Sequence, residues 1–241
     1  MSLDDINMPV ITFTLDGQEV TAKPGETIWE VGQREGTIIP HLCHKDVPEL
    51  RSDSNCRACV DEVEGERVLA ASCIRRPTEG MIVNTGNARV QKNRQMVFDL
   101  LASDMPAREH SPDPQSHFWQ QAELAGLKKA RYPSGRPGAG KDIPVDSVFR
   151  DASHPSIAVN LDACISCNLC ERACREVQVN DVIGMAGRGA ATMPVFDVND
   201  PMGLSSCVGC GECVQACPTG ALMEKTMPDA TATKRAVYDV E

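Results

Sequence analysis

Twelve cysteines carry most of the chemistry available to this 241-residue sequence, and they fall into three groups of four with none left over. In two groups, three cysteines are separated by two residues and a fourth follows after three more, as CISCNLCERAC at 164–174 and CVGCGECVQAC at 207–217. The remaining group, with the wider spacing C-x12-C-x2-C-x13-C, consists of Cys43, Cys56, Cys59 and Cys73. Thiolates are soft ligands, and sets of four select zinc, copper(I) or iron–sulfur clusters.

The compartment expected for the chain favours metal binding over disulfide bonds. The N-terminal stretch MSLDDINMPV has two aspartates and lacks the basic and apolar regions of a secretory signal. Because cytoplasmic thiols stay reduced, cysteines at short repeated gaps are better explained as ligands than as disulfide partners. The sequence therefore predicts a cytoplasmic protein with three metal sites.

The two repeated groups resemble the cysteine run of bacterial two-cluster ferredoxins. That run is C-x2-C-x2-C-x3-C-P, and its fourth cysteine ligates the other [4Fe–4S] cluster. The resemblance implies one cluster held by Cys164, Cys167, Cys170 and Cys217, and a second held by Cys174, Cys207, Cys210 and Cys213. Pro218 matches the proline of the family, whereas Arg175 replaces it in the first run. A pair of zinc sites is the alternative, although zinc ribbons usually have two separated C-x2-C pairs.

The N-terminal group resembles that of plant-type [2Fe–2S] ferredoxins, which use C-x4-C-x2-C and a distant fourth cysteine. The first gap is longer here, but the C-x2-C pair of Cys56 and Cys59 and the distant fourth ligand remain. We therefore expect a [2Fe–2S] cluster on these four cysteines, with a structural zinc site as the alternative. His41 and His44 flank Cys43, and a Rieske centre would use two histidines. Because four cysteines suffice, we expect both histidines to support the loop rather than bind metal.

Hydrophobic patterns indicate a small mixed sheet around the N-terminal cysteines. Residues 10–22 alternate in polarity around an Asp-Gly turn, which is typical of a β-hairpin. Thr27 and Glu30 form a capping box for a short helix that ends near Gly36. Residues 57–73 read as a second hairpin with a Glu-Gly turn. Hairpin, helix, cysteine loop and second hairpin predict a β-grasp [2Fe–2S] ferredoxin-like domain.

The rest of the chain divides into a middle segment rich in proline and glycine and a second compact part. Residues 89–103 have apolar side chains near helical spacing and predict an amphipathic helix. Many prolines and the glycines of SGRPGAG follow, so we expect a linker with one short helix over 115–131. The predicted fold class is α+β. The predicted domains are a β-grasp [2Fe–2S] domain (1–88), a helical segment and linker (89–155), a two-[4Fe–4S] ferredoxin domain (156–227) and a tail with a strand-like end (228–241).

The order of these parts resembles the iron–sulfur region shared by the large iron–sulfur subunit of respiratory complex I, the diaphorase iron–sulfur subunit of NAD-reducing hydrogenases, and NAD-dependent formate dehydrogenases. VNLDACISCNLCERACREVQVNDVIGMAGRG (159–189) and DPMGLSSCVGCGECVQACPTGALMEK (200–225) look most similar to the α subunit of molybdenum- or tungsten-containing formate dehydrogenase. In that family a further [4Fe–4S] motif and a metal-pterin domain follow, near where this sequence stops at Glu241. The resemblance implies electron transfer between a metal-pterin catalytic domain or subunit and a flavin/NAD-binding diaphorase-type subunit, with formate oxidation or CO2 reduction only in the assembled enzyme.

One feature of these families is missing from the middle segment. Complex I relatives usually carry a third cluster there, on the pattern H-x3-C-x2-C-x5-C, but residues 103–122 contain His110, His117 and no cysteine. We therefore predict no cluster in this segment and a surface position for His110. A hydrogenase diaphorase subunit, the alternative within the redox class, would usually keep this site.

Composition and motifs disfavour other functions. A formal net charge of −10 argues against a nucleic-acid-binding surface, and the sequence has no run of about 18 apolar residues that would span a membrane. The P-loop-like stretch GRPGAGKD (135–142) has Asp142 in place of the Ser or Thr that holds Mg²⁺, and no strand precedes it. We find no catalytic triad or carboxylate pair, so we expect no catalysis by this chain alone. A zinc-stabilised interaction module is the alternative from another class.

Overall fold

The structure is a computed structural model that describes residues 10–47, 49–133 and 150–225. Within these ranges the chain forms ten strands and five α-helices. The strands are β1 (Ile11–Leu15), β2 (Gln18–Ala22), β3 (Val60–Val63), β4 (Ala70–Ala71), β5 (Ile82–Asn84), β6 (Arg150–Asp151), β7 (Ile157–Asn160), β8 (Ile183–Ala186), β9 (Met193–Phe196) and β10 (Leu222–Glu224). The helices are α1 (Ile28–Arg34), α2 (Ala88–Ser103), α3 (His117–Leu124), α4 (Leu169–Arg172) and α5 (Glu212–Ala216). The P-loop-like stretch, residues 134–149 of the expected linker and the strand expected in the tail lie outside the described residues.

The N-terminal part is a mixed sheet of five strands in the order β2-β1-β5-β3-β4. The predicted hairpin is confirmed: β1 and β2 are antiparallel, and Asp16 and Gly17 turn the chain with φ values of 50° and 82°. The second hairpin, of β3 and β4, is also present, but β4 has only two residues. Strand β5 lies between β1 and β3, parallel to the former and antiparallel to the latter. The sequence did not predict β5, because three residues are too few to show an alternating pattern.

Helix α1 covers this sheet and begins at the predicted capping box. The Thr27 hydroxyl accepts from the backbone N–H of Glu30 at 3.3 Å, and the Glu30 carboxylate accepts from the backbone N–H of Thr27 at 2.6 Å. One side of the helix packs in the core of the sheet. On its other side Trp29 is buried against Cys59 and Cys73. The cap therefore fixes the start of a helix that contacts both the sheet and the cysteines.

Helix α2, predicted over 89–103, is confirmed and is attached to the sheet by a buried ion pair. Arg94 pairs with Asp61 of β3, whose side chain is fully buried. The Nε of Arg94 also donates to the carbonyl of Val60 at 3.2 Å. Burial raises the pKa of Asp61 to about 7, although the Arg94 charge acts in the opposite direction. The charge of Arg94 thus offsets part of the free-energy cost of removing the Asp61 carboxylate from water.

Helix α3 connects the middle segment to both cysteine-bearing parts. It is shorter than the 115–131 helix expected from the sequence, ending where Ala125 and Gly126 turn the chain. The backbone N–H of Phe118 donates to the carbonyl of Pro218 at 2.8 Å. Phe118 also belongs to an apolar core that includes residues from each end of the chain, such as Leu42 and Ala221. The three parts of the chain therefore share one core.

The C-terminal part is built around a three-stranded sheet in the order β10-β7-β6, with β7 antiparallel to both neighbours. Strands β8 and β9 form a separate hairpin, which the sequence did not predict. Helix α4 continues directly as a π-helical turn over Ala173–Val177. No helix in the described parts of the chain has both the length and the apolar character needed to cross a bilayer.

Thr27→Ala should lower the free energy of unfolding by about 1 kcal/mol, because the first turn of α1 loses its hydroxyl acceptor. Anaerobic guanidinium unfolding followed by circular dichroism measures this change. Thr27→Ser is the matched control, since it keeps the hydroxyl and should stay within about 0.5 kcal/mol of the parent. Equal denaturant midpoints for the alanine and serine variants would show that the cap contributes nothing.

Candidate metal centres

Four cysteines meet on the loop side of the N-terminal sheet, and we call them the N-terminal thiol group (Cys43, Cys56, Cys59 and Cys73). Cys43 and Cys56 lie in the loop between α1 and β3, Cys59 directly precedes β3, and Cys73 lies just after β4. The backbone N–H groups of Cys43 and Cys56 each lie 3.4 Å from the sulfur of the other residue. The N–H of Ala58 donates to the Cys56 sulfur at 3.5 Å. Three of the thiols are buried, and Cys56 is half-buried.

The thiols of this group differ in how readily they ionise. Hydrogen bonds from Cys56 and Cys73 stabilise the Cys43 thiolate and lower its pKa to about 2. The pKa values of Cys56 and Cys73 are raised, because their hydrogens are held by neighbouring sulfurs and because burial disfavours a charge. The pKa of Cys59 is also lowered, mainly by a hydrogen bond from Cys73. The group therefore accepts negative charge at Cys43 and Cys59, and further charges only against a cation. Metal binding supplies that cation and releases the protons.

The two ferredoxin-like runs are brought together so that their fourth cysteines are exchanged. One cavity, which we call cavity A, is lined by Cys164, Cys167, Cys170 and Cys217. A second, which we call cavity B, is lined by Cys174, Cys207, Cys210 and Cys213. In each case three cysteines come from one run and the fourth from the other. Helices α4 and α5 make this possible because they carry the chain from one cavity to the other.

The two runs share the same backbone conformation at equivalent positions. Ser166 and Asn168 in the first run have φ values of 52° and 63°, and Gly209 and Gly211 in the second have 70° and 84°. Asn168 precedes α4 as Gly211 precedes α5. Left-handed backbone is cheapest for glycine and tolerable for asparagine. The repeated spacing in the sequence therefore corresponds to a repeated turn in three dimensions.

Backbone N–H groups in both runs point at sulfur. The N–H of Ser166 donates to the sulfur of Cys164 at 3.3 Å. At the equivalent place the N–H of Gly209 donates to the sulfur of Cys207 at 3.4 Å. Hydrogen bonds of this kind stabilise the anionic form of sulfur and are one means by which proteins set cluster potentials.

Burial raises the pKa of three thiols in the two cavities and so favours their protonated form. It raises the pKa of Cys213 to about 12, and the neighbouring thiols of cavity B add to the effect. The pKa values of Cys167 and Cys170 are also raised, again mainly by burial. Each cavity brings four thiols together, of which only Cys210 is exposed. With N–H groups directed at sulfur, they form a donor set that fits an iron–sulfur cluster.

The three thiol groups adjoin one another in succession, and we call this succession the line of thiol groups. Cys43 of the N-terminal thiol group and Cys167 of cavity A belong to one apolar cluster in the core. Cavity A in turn adjoins cavity B, since Cys170 and Cys213 pack in another apolar cluster. At the far end Cys210 is exposed to solvent. The order is therefore the N-terminal thiol group, cavity A and cavity B, with the last reaching the surface.

Histidines and a tryptophan pack around the loop of Cys43. The rings of His41 and His44 lie edge-on to Trp29, with centroids 4.8 and 4.3 Å away. His44 is hydrogen-bonded to the Ser52 hydroxyl, and Nε2 of His117 donates to the His41 carbonyl at 2.8 Å. Burial, and next the proximity of His117, lower the pKa of His41 to about 4. These rings are therefore neutral at physiological pH and make contacts suited to the loop-supporting role expected for His41 and His44.

His117 and Arg172 lie near the thiols, but the sequence did not single them out for a role there. His117 contacts the Cys43 loop only because α3 folds back onto it. Arg172 is buried, and it lies between Cys170 and Cys174 in the sequence. A charged residue between two cysteines was the only feature of the sequence that could have indicated its role. His110 is exposed, as predicted, in a short turn of the middle segment.

Comparison with known families identifies the class of protein that carries these sites. Residues 9–88 match a 2Fe-2S iron-sulfur cluster binding domain, and residues 154–221 match a 4Fe-4S dicluster domain. Both matches describe iron–sulfur domains, and neither describes a zinc site. The predictions of a [2Fe–2S] domain at the N-terminal end and a two-cluster domain towards the C-terminal end are therefore confirmed at the level of the family.

Relatives place these domains in redox enzymes. The chain is 34% identical over 224 residues to the NADP-reducing hydrogenase subunit HndD of Solidesulfovibrio fructosivorans, covering 90% of this chain and 36% of the relative. It is 31% identical over 220 residues to one subunit of an NADH-quinone oxidoreductase from Rhizobium meliloti (strain 1021), covering 89% and 24%. It is 30% identical over 222 residues to the putative formate dehydrogenase YrhE of Bacillus subtilis (strain 168), covering 90% and 21%. The chain thus spans between 21% and 36% of the length of these curated relatives.

A solved structure shares the fold over nearly the whole chain. The crystal structure of NAD+-reducing [NiFe]-hydrogenase in the H2-reduced state contains a chain with a TM-score of 0.77 and 26% identity, and the match covers 92% of this chain and 91% of that one. The protein is therefore an iron–sulfur electron-transfer protein, homologous to subunits of hydrogenases, NADH-quinone oxidoreductases and formate dehydrogenases.

Gly211→Val should remove iron from cavity B, because a β-branched residue is strongly disfavoured at a φ of 84°. Gly211→Asn is the matched control, since Asn168 occupies the equivalent place in the first run with a φ of 63°. Iron and acid-labile sulfide per chain measure the outcome. We expect the asparagine variant to match the parent and the valine variant to lose one [4Fe–4S] equivalent. Equal iron content in both variants would contradict this account of the turn.

Proposed function

We propose that this chain carries single electrons between a flavin- and NAD-binding diaphorase-type partner and a metal-pterin catalytic site of the formate dehydrogenase type. The observation that carries the proposal is the line of three thiol groups, each adjoining the next and the last reaching the surface. Such a line connects two partners without a substrate pocket of its own. The likeness to putative formate dehydrogenases and the resemblance of residues 159–189 and 200–225 support the choice of catalytic partner.

We propose the following ligands for the clusters. One [2Fe–2S] cluster is held by Cys43, Cys56, Cys59 and Cys73, one [4Fe–4S] cluster by Cys164, Cys167, Cys170 and Cys217, and one by Cys174, Cys207, Cys210 and Cys213. Support comes from the shared cavities A and B and from the N–H groups directed at sulfur. When bound, the clusters supply one-electron redox chemistry.

The residues of the chain position these groups and control their surroundings. Buried thiols and the apolar clusters around them exclude water, which preserves the electrostatic effect of nearby charges and dipoles. The order of strands in the N-terminal sheet, with α1 across it, supports a β-grasp fold for the [2Fe–2S] domain. We assign the protein to the cytoplasm, where thiols stay reduced until they bind metal.

The second candidate is the diaphorase iron–sulfur subunit of an NAD-reducing hydrogenase. Its support is the solved hydrogenase chain, which this chain covers over 91% of its length at a TM-score of 0.77. In this case the partner at one end of the line would bind H2 instead of formate. The electron-carrying role is the same in both candidates, and only the catalytic partner differs.

Cys213→Ala should remove one [4Fe–4S] signal and leave the [2Fe–2S] signal, because the substituted thiol lies in cavity B. Electron paramagnetic resonance of the dithionite-reduced protein measures both signals. Cys59→Ala is the reciprocal control and should remove the [2Fe–2S] signal alone. If both signals persist unchanged in these variants, the proposed ligand sets are wrong.

A native complex containing this chain, purified anaerobically, should reduce NAD+ with formate and not with H2. Cys170→Ala should abolish this reaction, because cavity A lies in the middle of the line, while formate-dependent reduction of a viologen dye persists at the catalytic partner. Absorbance of NADH and of reduced viologen measures the two reactions. Reduction of NAD+ with H2 would select the hydrogenase candidate, and undiminished NAD+ reduction in the variant would refute the relay.

A further inference from the structure

Arg172 is a buried cation in the region where two of the proposed clusters meet. It lies on α4 between Cys170 of cavity A and Cys174 of cavity B, and only 3% of its surface is exposed. A buried guanidinium is costly unless its charge and donors find partners. The partners of Arg172 come from outside its own domain.

The guanidinium reaches across to the loop of the N-terminal thiol group. Its Nη2 donates to the carbonyl of Cys43 at 3.1 Å, and its Nη1 donates to the carbonyl of Arg51. Its Nε lies 3.0 Å from a carboxylate oxygen of Asp53, close enough for an ion pair but without the alignment of a hydrogen bond. A second contact reinforces the link, since Arg51 pairs with Glu176 at 3.0 Å. One side chain therefore attaches the backbone on either side of the Cys43 loop to α4.

The position of this charge places it beside the N-terminal thiol group and cavity A together. Cys43 and Cys167 share an apolar cluster, so little water separates the two sites. In such surroundings a fixed charge is weakly screened and affects the free energy of adding an electron nearby.

We propose that Arg172 is a positioning residue that holds the Cys43 loop against α4 and raises the reduction potential of the [2Fe–2S] cluster. The inference rests on the proposed function, in which the N-terminal thiol group holds that cluster. A positive charge stabilises the reduced form, because reduction adds negative charge to the cluster and its thiolates. Charge and hydrogen bonding near the sulfurs are established means of setting cluster potentials.

Asp53 makes it possible to distinguish an electrostatic role of Arg172 from a purely structural one, because it predicts the direction in which the reduction potential shifts. Its carboxylate partly neutralises the guanidinium of Arg172 and also pairs with Arg51 at 3.4 Å. Removing the negative charge therefore leaves the positive charge of Arg172, and of the more exposed Arg51, more effective. Substitutions at the two positions should therefore shift the potential in opposite directions. A loosened loop alone would not produce this pattern.

A matched ion pair on the surface provides the control. Arg175 lies on the same helical stretch and pairs with Asp181 at 2.6 Å, with side chains that are 52% and 62% exposed. Solvent screens charges at such a site. Changes of the same type at this pair should therefore alter the [2Fe–2S] potential far less than changes at Arg172 and Asp53.

The experiment is an anaerobic redox titration of the [2Fe–2S] signal, followed by electron paramagnetic resonance on the full chain. Arg172→Gln should weaken electron binding by about tenfold, which corresponds to a fall of about 59 mV for one electron. Arg172→Lys keeps the charge and should recover most of this loss, whereas Asp53→Asn should raise the potential. Arg175→Gln and Asp181→Asn should each change electron binding by less than about twofold.

The outcomes separate this inference from the proposed function. Absence of any [2Fe–2S] signal in the parent protein overturns the proposed function itself. A normal parent signal with unchanged potentials, or with shifts of the same sign in Arg172→Gln and Asp53→Asn, overturns the inference alone. If Arg172→Gln does not hold its clusters, Asp53→Asn is compared with Arg51→Gln, because Asp53 pairs with both arginines. A raised potential in Asp53→Asn with an unchanged one in Arg51→Gln supports the inference, and any other result refutes it.

Discussion

Burial disfavours a thiolate unless hydrogen bonds or a positive charge stabilise it, and this constraint governs all three thiol groups. Burial raises the pKa of Cys170 and Cys213 in cavities A and B, whereas hydrogen bonds from neighbouring thiols lower the pKa of Cys43 and Cys59 in the N-terminal thiol group. The fold brings the sulfurs together although burial disfavours their charged form, and it directs backbone N–H groups at several of them. Stable packing of these regions is therefore coupled to the cations that the sulfurs bind.

The middle segment has a structural role that its composition does not reveal. Helices α2 and α3 supply aromatic side chains to a core shared by the two cysteine-bearing parts, with Phe98 and Phe118 at its centre. A hydrogen bond from Phe118 to the carbonyl of Pro218 reaches the residue that follows the last cysteine. Because electron transfer needs short and constant separations, such a core is as important as the ligands. The segment thus acts as a spacer of fixed geometry.

Local features of the fold were predictable from the sequence, and features that depend on distant contacts were not. The Asp16-Gly17 turn, the capping box at Thr27 and helix α2 each depend on residues within a few positions of one another. Strand β5 has three residues and pairs with strands far along the chain. The hairpin of β8 and β9 is the exception, since it is local and was still not predicted. The length of α3 was overestimated because its end is set by a turn at Gly126 and not by a proline.

The same distinction applies to the candidate site. Cysteine spacing alone indicated which thiols the structure brings together, because the short gaps within each ferredoxin-like run correspond to tight turns. The contacts of Arg172 and His117 join segments more than seventy residues apart, and no local pattern encodes them. Arg172 in particular reads as an ordinary charged residue of a short helix. Its burial becomes evident only once the Cys43 loop is seen to pack on it.

The exchange of Cys174 and Cys217 between the two runs has a consequence for how such a protein changes over generations. Each run completes the cavity of the other, so deleting either one leaves the surviving cavity one thiol short. Loss of one cluster site alone is therefore disfavoured unless a new fourth ligand for the remaining site arises at the same time. Lineages that carry this pair of runs are expected to keep both or lose both.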